Sequence, residues 1–76
     1  MDRGELAEQL KTIQAPVDSY AIGEINDEAL CLVEENGRWS IFYSERGLRT
    51  EEQHFRDENS ACVAFLQRLK HMFGIR

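Results

Sequence analysis

Residues 29–55 read ALCLVEENGRWSIFYSERGLRTEEQHF. Two alternating apolar runs, 29–34 and 38–44, flank Asn36-Gly37. Both turn residues tolerate the positive φ that a type I′ turn requires, so the stretch reads as a β-hairpin. A two-residue loop fixes the register. Glu35 pairs with Arg38, Glu34 with Trp39, Val33 with Ser40, Leu32 with Ile41, Cys31 with Phe42 and Leu30 with Tyr43. One face then carries Leu30, Leu32, Trp39, Ile41 and Tyr43. The other carries Cys31, Val33, Ser40, Phe42 and Ser44. The first face is larger and more apolar, so the helices are expected to cover it. The second is half apolar and is expected to stay partly exposed.

Downstream, Gly47 turns the chain, and residues 49–56 form a polar strand ending at Phe55. Glu51-Glu52 suit an edge position, where charge blocks unwanted pairing. The last helix has Asp57 as N-cap and Glu58 in its first turn, where a negative charge complements the helix dipole. Ala61, Cys62, Phe65, Leu66, Leu69, Met72 and Phe73 fall on one apolar stripe. Arg68, Lys70 and His71 suit the C-terminal end, and Gly74 stops the helix.

Upstream, residues 2–14 read as an amphipathic helix with Leu6, Leu10 and Ile13 on one stripe. Asp2 caps it, with Glu5 three residues on, and Pro16 ends it. Tyr20-Ala21-Ile22 is a candidate short strand, and Asn26-Asp27-Glu28 a candidate turn. The expected fold is α+β: an antiparallel meander of three or four strands, with N- and C-terminal helices packed on one face, in α-β-β-β-α order. Residues 1–76 make a single domain.

A chain of 76 residues has room for one sheet layer and one helix layer, and little for a deep substrate cavity. The net charge of −5 and pI of about 4.9 disfavour nucleic acid and anionic membrane, and favour a basic partner. Two cysteines, Cys31 and Cys62, make no disulfide framework, and each sits in an apolar run, so buried free thiols are expected. Met1-Asp2-Arg3-Gly4-Glu5 carries no signal-peptide apolar region, and no apolar stretch approaches the ~20 residues that span a bilayer. The expected compartment is the cytoplasm.

Chemistry-bearing patterns are sparse. His54 and His71 are the only histidines, and neither His-x₃-His nor Cys-x₂-Cys occurs, so no metal site is expected. No sequence signature places a nucleophile beside a base. The five glycines are scattered and form no phosphate loop. Neither catalysis nor a cofactor is expected. The element order is also that of double-stranded-RNA-binding domains. Those dock phosphates with Lys and Arg at the start of the second helix. Here Asp57-Glu58-Asn59-Ser60 stands instead.

The charged corner Glu45-Arg46 admits two readings. One is a solvated turn closed by a local ion pair, worth about 0–1 kcal/mol. The other is a protruding contact, since arginine's planar fork makes it a frequent hot-spot residue. Asp27 and Glu28 precede the first hairpin strand and lie at the same end as this corner. Glu51 and Glu52 point to opposite faces of the next strand. The acids therefore form separate patches.

Cys31-Leu32, the run Trp39-Ser40-Ile41-Phe42-Tyr43-Ser44-Glu45-Arg46-Gly47, then Phe55, Glu58 and Ala61-Cys62 ahead of Phe65-Leu66 resemble the pattern of small bacterial immunity proteins. These are encoded beside polymorphic toxins delivered by cell contact or type VI secretion. The resemblance covers residues 29–69. It implies a cytoplasmic protein without enzyme activity that binds a cognate toxin domain and blocks its active site or substrate entry. The acidic charge then hints at a nuclease toxin with a basic cleft. An NAD-consuming or ADP-ribosylating toxin is a close second. Exposure and charge, not the resemblance, select the candidate contacts: Glu45 and Arg46, with Asp27, Glu28, Glu51 and Glu52 as steering charges. A monomer is expected. The competing reading is an adaptor or homodimer module that uses the face bearing Val33 and Phe42.

Overall fold

The computed structural model describes residues 1–75. Helix α1 spans Arg3–Thr12, a 3₁₀ turn Val17–Ser19, strand β1 Tyr20–Ile22, β2 Ala29–Glu35, β3 Arg38–Glu45, β4 Leu48–Phe55 and helix α2 Glu58–Met72. The four strands form one sheet in the order β1-β2-β3-β4. The fold is α+β with helices at both ends of the chain, as expected.

The hairpin forms in the expected register, with all six pairs from Glu35↔Arg38 to Leu30↔Tyr43 in place. Asn36 and Gly37 take φ 54° and 75°, the left-handed region that the turn demands.

The sheet is mixed, where a purely antiparallel meander was expected: β1 pairs parallel to β2, Tyr20 beside Leu30 and Ile22 beside Leu32. A parallel pair normally needs a crossover of a dozen or more residues. Here residues 23–28 suffice, because β1 is only three residues long and the return path is short.

Each helix is closed at both ends by its own sequence. The Asp2 carboxylate accepts from the Glu5 N–H at 2.9 Å, and Asp57 accepts from the Ser60 N–H at 2.7 Å. At the far end of α1, Gln14 turns left-handed with φ 58°. The Gln14 N–H then reaches Lys11 O, and the Ala15 N–H reaches Leu10 O. This paired closure stops α1 before Pro16. Gly74 does the same for α2, with φ 66° and bonds from Gly74 and Ile75 to His71 O and Lys70 O. The two helix starts are clamped together. Arg3 donates from its backbone N–H and from Nε to Glu58, at 2.9 and 3.2 Å. Its guanidinium lies 5.0 Å from the Trp39 ring centre.

Both helices cover one face of the sheet. Leu6 and Leu10 of α1 and Ala61, Cys62, Phe65, Leu66 and Leu69 of α2 pack with Leu30, Leu32, Trp39 and Ile41. The α2 stripe stops there. Met72 and Phe73, expected in the core, are 44% and 42% exposed. Opposite the last turn stand Tyr43, Thr50 and Glu51, which leave an open groove of about 320 Å³ rather than an apolar wall.

The opposite face is not open, which corrects the expectation drawn from its composition. Ala21, Ala29, Cys31, Val33 and Phe42 form a second buried cluster, with Phe42 fully buried. No helix covers it. The guanidinium of Arg49 lies 4.2 Å from the Phe42 ring centre, and the Asn26 carbonyl accepts from the Cys31 thiol at 3.6 Å. Loop 23–28 and a strand residue therefore serve as its lid.

The sheet curls to make this possible. Arg49 pairs with Ser44, and Glu35 with Arg38. Six pairing positions separate them, about 20 Å along a flat sheet, more than the two side chains span. Yet Arg49 holds Glu35 through two bonds, at 2.5 and 3.2 Å. The ribbon must be concave toward Phe42. A β-bulge supplies the bend: between Thr50↔Tyr43 and Gln53↔Ile41 the register shifts. Glu51 and Glu52 together oppose Phe42, with Glu51 at φ 51°. Bulges add local bend and twist of this kind.

Candidate partner-binding surface

The second hairpin turn repeats the chemistry of the first. Glu45 pairs with Leu48, and the residues between them, Arg46 and Gly47, take φ 52° and 80°. A non-glycine residue in this region is strained by roughly 1–2 kcal/mol, so Arg46 needs support. It comes from across the sheet end: the Arg46 N–H donates to Asp27 Oδ1 at 2.7 Å. The brace uses the backbone of Arg46 and leaves its guanidinium exposed. The local Glu45–Arg46 ion pair does not form. Among the described residues neither side chain has a salt-bridge partner.

The structure thus brings Glu45, Arg46 and Asp27 together, with Glu28 next in the chain, all exposed. Leu48, directly after the turn, is 67% exposed. Glu51 and Glu52 do not join them. Glu51 lies at the bulge, where Arg68 of α2 donates to its carbonyl at 2.7 Å and to its carboxylate at 3.4 Å. Glu52 lies on the other face, within 3.2 Å of Arg49 and 3.7 Å of His54. Both carboxylates are balanced locally, which leaves them less able to steer a partner than their sequence positions imply.

A polar network on the second face was not legible from sequence spacing. Arg49 joins Glu35 and Glu52, and His54 joins Glu52 to Ser40, whose Oγ lies 2.9 Å from His54 Nδ1. The register pairs Ser40 with His54 and Ser44 with Arg49. Once β4 is aligned on β3, the network follows.

Serine, histidine and a carboxylate in sequence of contact are the residue types of nucleophilic catalysis. Here Ser40 is 1% exposed, in mid-strand beneath the curl. A substrate carbonyl has no approach to its hydroxyl. The contact satisfies a buried hydroxyl, and no buried side-chain nitrogen or oxygen is left without a partner among the described residues. Both cysteines are free and buried. No group of three or more metal-type side chains converges among the described residues. No helix of the described chain is long and apolar enough to cross a membrane.

The ion pairs predict a pH response. The hydrogen bond from Arg49 holds the Glu35 carboxyl below its usual range. Bonds from the Ser60 backbone N–H and hydroxyl do the same for Asp57. Both folded-state values lie under the unfolded ones. Their stabilisation is therefore complete above the ordinary carboxylate range and is lost as pH falls through the folded values. The thermal midpoint should stay level from about pH 7 to pH 5 and drop below about pH 4. Glu35→Gln should flatten part of that drop. A midpoint that climbs on acidification would contradict the assignment.

Comparison with protein-family models, curated proteins and solved structures found no match to this chain.

Proposed function

We propose that this chain is an immunity protein that acts in the cytoplasm, binds a cognate bacterial toxin domain and blocks its active site or substrate entry. The observation that carries the reading is the Asp27-braced turn at Glu45-Arg46. It holds an arginine side chain free of local ion pairs at the end of a sheet, on a backbone already fixed in shape. Such preorganisation removes much of the ordering cost of binding, and arginine is among the residues that dominate interface energetics. The acidic net charge supports a basic partner, as a nuclease cleft would be, through faster encounter. The resemblance carried by residues 39–47 supports the toxin as that partner.

The adaptor or homodimer reading relied on Val33 and Phe42. Those residues are 8% and 0% exposed, which removes the surface it required.

The test is growth rescue. A toxin domain is expected in an adjacent reading frame, and co-expression of this chain with it should restore growth. Arg46→Glu and Glu45→Lys should each weaken binding by roughly 30-fold or more if the turn is a hot spot. Full rescue by both reversals would remove the turn from the contact. Absence of rescue by the unaltered chain would remove the toxin.

A further inference from the structure

Charge is segregated along this chain. Residues 12–37 carry six carboxylates and no Lys, Arg or His, while the rest of the chain carries nine cations against eight carboxylates. The whole net negative charge therefore belongs to the segment that builds the 3₁₀ turn, β1, loop 23–28 and β2. Within it, Glu34 and Glu35 lie at the far end of β2, and Glu35 is held by Arg49. The other four are exposed on either side of β1: Asp18 in the 3₁₀ turn before it, and Glu24, Asp27 and Glu28 in the loop after it.

The same two segments expose aliphatic surface: Val17 in the 3₁₀ turn is 76% exposed and Ile25 in the loop is 50% exposed. Ile25 stands between Glu24 and the run Asn26-Asp27-Glu28. The edge strand itself has a neighbour on one side only.

The loop that carries Ile25 is held at three points. The Gly23 N–H donates to Leu32 O at 2.7 Å, the Asn26 carbonyl accepts from the Cys31 thiol, and Asp27 accepts from the Arg46 N–H. It is a shaped feature, not a slack connection.

We infer that the β1 edge with loop 23–28 is a docking surface for a basic protein segment. Val17 and Ile25 contact apolar side chains of that segment, and Asp18, Glu24, Asp27 and Glu28 contact its Lys and Arg. The inference rests on the toxin-binding reading for its biological setting and extends the contact from the Arg46 turn, through Asp27, across the sheet end. Charge complementarity selects the occupant. An acidic segment, or a second copy of the same edge, would bring like charges together, and an uncharged apolar one would leave the carboxylates unpaired.

Amide shifts of the isotope-labelled full chain would be followed while titrating three synthetic twelve-residue peptides, built from lysine and leucine, lysine and serine, or glutamate and leucine. The lysine–leucine peptide should give saturable shifts centred on residues 17–28, at least tenfold tighter than the lysine–serine peptide. The glutamate–leucine peptide should give none. Glu24→Lys combined with Glu28→Lys should weaken the first by at least tenfold, and Ile25→Ser by about fivefold. These positions are exposed, so the variants should fold, and unchanged shifts in the core would verify it.

Shifts centred on β4 or α2, equal affinity for the two lysine peptides, or no saturable binding at millimolar peptide would overturn the surface. Growth rescue separates the two claims. Peptide docking at this edge without toxin rescue sinks the toxin and spares the surface. Undiminished rescue by the doubly reversed, Ile25→Ser chain sinks the surface and spares the toxin.

Discussion

Phe42→Ala is expected to destabilise the protein by about 3–5 kcal/mol, the usual range for deleting a fully buried phenylalanine ring. A domain of this size has a total stability on the order of 4–11 kcal/mol, so the variant should be marginally folded or unfolded. The figure follows from geometry that its sequence position conceals. The ring projects from the side of the sheet without helices, yet it is 0% exposed. It is enclosed by the curl that brings Arg49 onto Glu35.

Urea unfolding of Phe42→Ala beside Val63→Ala, a truncation at an exposed position expected to cost under about 0.5 kcal/mol, provides the comparison. Arg49→Met separates enclosure from charge. It keeps a chain over the ring while removing the bonds to Glu35 and Glu52, and should cost less than the ring itself. A loss below about 1 kcal/mol for Phe42→Ala would mean that the ring is open to solvent and the sheet flatter than described.

Both thiols should react with a disulfide reagent at least about a thousandfold more slowly than the same thiols in the unfolded chain. Cys31 and Cys62 are each 0% exposed, and burial pushes both thiols above their ordinary value. Reaction therefore waits for an opening of the structure, and three powers of ten correspond to an opening free energy of about 4 kcal/mol. Cys62 sits between α2 and the sheet and should be released only by global unfolding. Cys31 lies under loop 23–28, so its rate reports whether that loop lifts by itself. Equal rates mean that the loop opens only with the whole domain. Rates for either residue close to those of a free thiol would show that its cluster is not closed.

The hairpin was fully legible because a two-residue turn leaves one register, and alternation then assigns every side chain to a face. The helix caps at Asp2 and Asp57 were legible for a similar reason, since their partners lie three residues away. What escaped was set by contacts distant in sequence. Val33 and Phe42 were expected on a partly exposed face because periodicity reports which face a residue points to, not whether that face curls over itself. The parallel pairing of β1 depends on loop 23–28 folding back across the sheet, which no local signal announces. Met72 and Phe73 continue the apolar stripe of α2 but stay exposed, and Met72 meets Thr50 and Glu51 across the groove. At the candidate surface, the neighbourhood of Glu45, Arg46, Asp27 and Glu28 followed from strand direction alone. The brace from Asp27 to the Arg46 amide, and the local pairing of Glu51 with Arg68 and of Glu52 with Arg49, arise only from the folded arrangement.

The bulge in β4 has a consequence for how crowded copies of this protein behave. An edge strand of eight residues would ordinarily template fibril growth, since its outward amides can recruit another chain. In this strand the line of free backbone groups is broken at Glu51, whose carbonyl is occupied by Arg68 from the helix behind it. An incoming strand would have to displace that guanidinium and straighten the kink. Arg68→Ala should therefore leave the monomer folded while shortening the lag before thioflavin-positive aggregates form in concentrated, agitated solution.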